Sequence, residues 1–112
     1  MAWKKPSTEI LGRYQELSPK GPGIEGRKMF GFPCLFLNNN MFMGVFESSI
    51  FLRLSALDRE KFLNLDQAFS FEPMPGRKMK EYVVIPEWLL FSGEVVDWIQ
   101  RSVSYARSLP PK

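Results

Sequence analysis

The chain has 112 residues, 45% hydrophobic and 24% charged, with a formal net charge of +3 and no histidine. That length fits one domain over residues 1–112, and the composition is that of a globular chain, not a disordered one. The missing histidine removes the commonest general base and zinc ligand near neutral pH. A lone cysteine, Cys34, excludes an intrachain disulfide and fits a reducing, cytoplasmic compartment.

The first pattern in chain order is helical. Ile10, Leu11, Tyr14 and Leu17 recur on one face of Thr8–Leu17, Ser7 is placed to cap it, and Pro19 follows its end. Gly21-Pro22-Gly23 breaks the chain, and Ile24-Glu25-Gly26-Arg27 runs directly into a strand. From there the sequence predicts a meander of short strands over Lys28–Phe32, Cys34–Leu37, Met41–Phe46 and Ile50–Leu54. Asn38-Asn39-Asn40 and Glu47-Ser48-Ser49 are the turns between the later strands, because asparagine tolerates the left-handed backbone of a tight hairpin. Gly44 inside a strand marks a bulge or a close backbone approach.

Ser55 and Asp58 resemble a capping box and open a second helix with Leu57, Phe62 and Leu63 on its apolar side. Ala68–Pro73 and Lys80–Ile85 read as two further strands around the loop Met74-Pro75-Gly76-Arg77, and Pro86 stops the second. A last helix runs roughly over Gly93–Ser108, with Ser92 as cap, Val95, Trp98, Ile99, Val103 and Ala106 as its buried stripe, and Pro110-Pro111 beyond it. The sum is an α+β fold: an antiparallel sheet of about five or six strands flanked by three helices. The longest apolar runs, such as Cys34–Leu37, fall far below the roughly 20 residues that span a bilayer, so no membrane role is expected.

The combination of Arg27-Lys28-Met29-Phe30-Gly31, Met41-Phe42-Met43-Gly44-Val45-Phe46, Leu52-Arg53-Leu54, Phe71–Tyr82 and Tyr105-Ala106-Arg107-Ser108-Leu109 resembles the TfoX N-terminal domain family. The resemblance implies a bacterial regulatory domain with a two-layer architecture like that of secretion chaperones. Named members of the family regulate natural competence genes together with the cyclic-AMP receptor protein and carry a second, C-terminal domain. The family pattern favours glycine in the turn where this chain has Asn39, a departure that bears on turn geometry.

The reactive residues make a short list. Cys34 as a nucleophile would need a base or cations beside it, and its neighbours Phe32, Pro33 and Leu35 read instead as core. The twelve acids are scattered with no metal-ligand spacing, and the glycines form no phosphate cradle. No catalytic residue, metal or cofactor is therefore expected. In Met41–Phe46 and Ile50–Leu54 both strand faces are apolar. One face should meet the helices; the other either folds under a terminal segment or is an interaction surface. Arg53, set among hydrophobic residues, needs either an acid from a helix or an anion in a groove.

Basic residues gather at Lys4-Lys5, Arg27-Lys28 and Arg77-Lys78-Met79-Lys80. The binding candidates are Arg27, Lys28, Arg53, Arg77, Lys78 and Lys80, which would form one positive patch if the first strand lies near the second loop. The leading expectation is a non-enzymatic interaction module that binds a protein partner, or its own copy, through a sheet face or edge. The alternative is weak, sequence-blind nucleic-acid binding through the basic cluster. A third reading is a small enzyme using carboxylates, Tyr82 or Lys80.

Overall fold

The computed structural model describes residues 3–112. Ser7 caps α1 (Thr8–Leu17), its hydroxyl accepting the Ile10 N–H at 3.1 Å, and Ile10 and Tyr14 are the helix's buried residues. Four consecutive antiparallel strands follow: β1 (Ile24–Met29), β2 (Phe32–Leu37), β3 (Asn40–Phe46) and β4 (Ser49–Arg53). Two-residue turns join them. Phe30 and Gly31 stand at φ 55° and 83°, Asn38 and Asn39 at 50° and 68°, and Glu47 at 53°. In the first two turns positive φ at both central residues matches the right-handed twist of a hairpin; in the third only the first central residue, Glu47, has it. The departure at Asn39 therefore keeps the turn, because asparagine adopts this conformation more readily than most side chains.

The strand expected over Lys28–Phe32 is corrected. That segment straddles the first turn, and the strand proper starts at Ile24, inside the run read as a lead-in. The strands expected over Ala68–Pro73 and Lys80–Ile85 shrink to β5 (Phe69–Ser70) and β6 (Tyr82–Val84). Pairing continues past β5 only as single bonds, the Phe71 N–H to Tyr82 O at 3.0 Å and the Met79 N–H to Phe71 O at 2.9 Å. Pro73 and Pro75, which have no N–H to donate, interrupt it.

Ser55 opens α2 (Ala56–Leu63), accepting the Asp58 N–H at 3.3 Å. The sequence did not suggest α3 (Glu87–Leu90), a single turn entered through Pro86 at φ −65°, an angle proline already holds. The last helix, α4 (Val95–Ser108), begins two residues later than expected, with the Ser92 hydroxyl accepting the Glu94 N–H at 3.1 Å.

The six strands form one antiparallel sheet in the order β1-β2-β3-β4-β6-β5. Directly paired residues of antiparallel strands share a face. Register thus aligns Arg27, Cys34, Gly44, Phe51, Val84 and Phe69 across one face, and Gly26, Leu35, Met43, Leu52, Val83 and Ser70 across the other. The middle of both rows is buried: Cys34, Phe51 and Val84 on one side, Met43, Leu52 and Val83 on the other. Over the middle strands neither sheet face is left open as an interaction surface, while β1 at the edge stays exposed. Phe71, from the segment after β5, stacks on Phe51 at 4.3 Å and 9°, and meets Phe46 edge-on at 5.5 Å. Trp3 reaches Phe46 at 5.4 Å from the other end of the chain.

Gly44 shows which of its two readings holds. A Cβ there would lie 2.6 Å from the Phe51 ring and 2.9 Å from Cys34 Cβ, so the glycine permits a close approach. The sheet's irregularity lies elsewhere, between Leu35 and Phe36 opposite the start of β3. On α4 the fully inward positions are Val95, Ile99, Ser102 and Ala106, while Trp98 and Val103 are half-buried. Ser102 is tolerated inside because its hydroxyl lies 2.9 Å from the Phe42 carbonyl and 2.7 Å from that of Arg53.

Candidate functional site

The six cations singled out from the sequence occupy three separate settings. Arg27 lies on β1, its guanidinium on the Glu25 carboxylate at 2.6 Å, hydrogen-bonded to Asn39 and 4.4 Å above the Phe36 ring. Arg53 meets Glu81 Oε1 through Nε at 2.7 Å and through Nη2 at 2.5 Å. The acid that neutralises it therefore comes from the residue before β6 and not from a helix. Tyr105 of α4 donates to the other oxygen of Glu81 at 2.8 Å. Burial alone would raise the Glu81 pKa, but the hydrogen bonds from Arg53 and Tyr105 and the charges of Arg53 and Arg59 outweigh it. They hold the carboxyl below its ordinary range. Arg53 is thus paired within the fold.

Arg77, Lys78 and Lys80 are exposed on the segment before β6, and three strands separate β6 from β1 in the sheet. Of the six, Lys28 stands at the edge of a well-formed depression.

That depression is a groove of about 690 Å³ at the turn between β1 and β2. Trp3, Pro6, Leu11, Phe30, Phe32 and Pro33 give it an apolar lining, and Lys4, Lys5 and Lys28 are its charged members; no acid lines it. Three pieces of chain build it. The extended segment before α1 is tethered where the Lys4 N–H donates to Glu47 at 2.9 Å, and Trp3 packs on Phe30 at 4.8 Å. The α1 helix contributes Leu11. The β1–β2 hairpin contributes the rest, with Phe30 about half-exposed and held in the left-handed region by its two-residue turn. Such backbone costs roughly 1–3 kcal/mol for a bulky residue, and strain of this kind gathers at binding sites.

A shallower hollow of about 330 Å³ continues the groove, sharing Lys28 and Pro33 and adding Tyr14, Gly26, Arg27, Cys34 and Leu35. Leu11 and Tyr14 are one helical turn apart on α1. The paired residues Lys28–Pro33 and Gly26–Leu35 are neighbours on one sheet face. The two hollows therefore form one channel between α1 and the sheet edge.

The channel's chemistry suits binding better than reaction. Burial pushes the Cys34 thiol up, the Arg27 charge only partly opposing it, and its S–H points at the Arg27 carbonyl at 3.4 Å. A thiol so held is a poor nucleophile near neutral pH. Burial, with Cys34 adding to it, also raises the Tyr14 hydroxyl far above its usual value, so it stays protonated. Among the described residues no group of three or more His, Cys, Asp or Glu side chains comes together to hold a metal ion. Also among them, no helix is long and apolar enough to cross a membrane.

A family model for the TfoX N-terminal domain matches residues 15–106. The chain belongs to the TfoX N-terminal domain family. No curated protein and no solved structure matches it. The matched span of this TfoX N-terminal domain takes in the β1–β2 hairpin and its Lys28, Phe30 and Pro33. Trp3, Lys4, Lys5, Pro6 and Leu11 lie before it. The groove is therefore built half from residues of the family match and half from the segment preceding it. Sequence reasoning named Lys28 and noted Lys4-Lys5, but missed Trp3, Leu11 and Phe30. The available signal was Gly31, whose position after Phe30 suits a two-residue hairpin turn.

Proposed function

We propose that this TfoX N-terminal domain is a non-enzymatic regulatory module that recruits a protein partner through the groove between α1 and the β1–β2 hairpin. The observation that carries this reading is the groove itself: an apolar lining, three lysines and no acid, beside a sheet whose middle strands are covered on both faces. Apolar pockets with a few charged groups at the margin take up ligands by burial and select them by charge. The family's regulatory character supports a binding role over catalysis.

Nucleic acid is the weaker reading. Its cations are divided between β1 and the segment before β6, and Arg53 is neutralised by Glu81. Such binding would be sequence-blind, losing about 0.9 log units of affinity per log unit of salt for each phosphate neutralised.

The test places a photo-crosslinking amino acid at Leu11, and separately at the exposed Leu57 on α2, in the native cell. A protein adduct is expected at Leu11 and not at Leu57, and it should disappear when Lys4, Lys5 and Lys28 are all changed to Glu. Equal adducts at both positions, or an adduct indifferent to the charge reversal, would overturn the proposal.

A further inference from the structure

The groove borders an unpaired strand. β1 is an edge of the sheet and has a single neighbour, β2, among the described residues. It spans six residues and is exposed along its middle. Edges of that length are usually blunted, because unpaired N–H and C=O groups recruit other strands.

The direction of those groups follows from the hairpin. In an antiparallel pair, residues that exchange both backbone bonds alternate with residues that exchange none. A two-residue turn makes its flanking pair, Met29 and Phe32, a bonded one. The bonded pairs are then Met29–Phe32, Arg27–Cys34, Glu25–Phe36 and Gly23–Asn38. The last is observed directly, the Asn38 N–H donating to the Gly23 carbonyl at 3.0 Å. Ile24, Gly26 and Lys28 therefore direct their backbone groups away from β2; the Ile24 N–H is taken up by the Gly21 carbonyl at 3.2 Å, which leaves the Ile24 carbonyl and both groups of Gly26 and Lys28 on the open side. The channel beneath α1 is floored by Gly26 and Lys28 with their partners Leu35 and Pro33. A Cβ on Gly26 would meet nothing within 4 Å, so the approach to the strand's centre is open.

We infer that β1 accepts an extended acidic segment of a partner protein as an added antiparallel or parallel strand. The segment bonds to the Ile24 carbonyl and to the outward N–H and C=O groups of Gly26 and Lys28, with an apolar side chain in the groove and carboxylates toward Lys4, Lys5 and Lys28. This rests on the groove reading and adds its mode and partner chemistry. Charge complementarity selects the occupant. Glu25 and Arg27 neutralise one another at 2.6 Å and Glu47 is held by the Lys4 N–H, so the three lysines leave the site with an excess of positive charge. A second copy of the chain joined through the same edge would bring two lysine sets together, and like charges at an interface disfavour it.

The probes are two fluorescein-labelled synthetic peptides, one of alternating valine and glutamate and one of alternating valine and lysine, read by fluorescence polarisation. The acidic peptide should bind at least about tenfold more tightly than the basic one. Gly26→Pro removes one outward N–H and leaves the β1–β2 bonds in place, and it should weaken binding by about tenfold.

Amide hydrogen exchange on the unaltered protein gives the same answer without a variant. Adding the acidic peptide should slow the Gly26 and Lys28 amides, while those of Glu25 and Arg27, already bonded to β2, stay as they are. Full binding by Gly26→Pro, or unprotected Gly26 and Lys28 amides in the complex, would overturn strand addition while sparing the groove. Unchanged binding by the Lys4→Glu, Lys5→Glu, Lys28→Glu triple variant would overturn the groove reading itself. No binding of the acidic peptide to the unaltered protein would overturn the inference.

Discussion

Gly44→Ala puts one methyl group where the sheet has no room for it. The new Cβ would lie 2.6 Å and 3.0 Å from two atoms of the Phe51 ring and 2.9 Å from Cys34 Cβ. Carbon atoms rest about 3.5–4.0 Å apart, so something must move by roughly 1 Å. Phe51 has little freedom to do so. It is fully buried, stacked on Phe71 at 4.3 Å and edge-on to Tyr82 at 5.8 Å. Overpacking of this kind costs about 1–3 kcal/mol. Against it, replacing glycine inside a strand recovers about 0.5–1 kcal/mol of backbone entropy. The net expectation is a loss of about 1–2 kcal/mol, or a fall in Tm of roughly 4–16 °C for a domain near this size. Urea unfolding should show a lower midpoint at unchanged slope. Phe51→Leu, which shortens the obstructing ring, should cost stability alone yet make the second change cheaper, with a coupling of about 1 kcal/mol in a double-mutant cycle. A Gly44→Ala protein within about 0.5 kcal/mol of the parent, or an additive cycle, would refute the close-approach argument.

Glu81 has a lowered pKa in the folded chain, so it contributes stability above its unfolded value, 4.5, that is lost as pH falls through the folded value. Glu81→Gln should therefore be less stable at neutral pH and show a flatter decline of Tm below about pH 5; parallel curves for the two proteins would contradict this. Cys34 is 1% exposed, and burial pushes its thiol up. Maleimide labelling near neutral pH should be slow in the native protein and immediate in urea, whereas rapid native labelling would show an open thiol. Phe30→Asn suits a left-handed turn position better than phenylalanine does, and it should gain about 1 kcal/mol of backbone energy while losing the Trp3 contact at 4.8 Å. Little change in Tm together with weaker binding of the acidic peptide is expected; unaltered binding would remove Phe30 from the groove.

Elements with a local cause were legible before any coordinates. Ser7 and Ser55 were readable as caps because the capping bond closes within three residues, and both make it. The asparagine turn was readable because its conformation is a property of the residues themselves. The errors fall where a distant partner decides. Lys28–Phe32 has strand-like composition apart from Gly31, and Phe30 and Gly31 turn where β1 folds back along β2. The strands around Met74–Arg77 were overextended because prolines cut the ladder. The apolar second face kept two readings, a cover from a terminal segment or an interaction surface, because nothing in Met41–Phe46 or Ile50–Leu54 announces that Phe71 and Trp3 lie on it.

The site was legible only in pieces, for a related reason. Charge is visible in a sequence, but the neutralisation of a charge is not. Arg27 and Arg53 entered the candidate set on equal terms with Lys28, and the fold pairs them with Glu25 and Glu81. The apolar part of the groove carries no signature either, since Trp3, Leu11 and Phe30 read as ordinary hydrophobic residues until three segments converge on them. What the sequence does contain is the geometry of one turn. Gly31 two residues after Met29 sets the register of the hairpin. Register fixes which backbone groups of β1 face outward, and those groups lie beside the lysines. A binding edge can thus follow from a turn, even where no residue in it bears a recognisable motif.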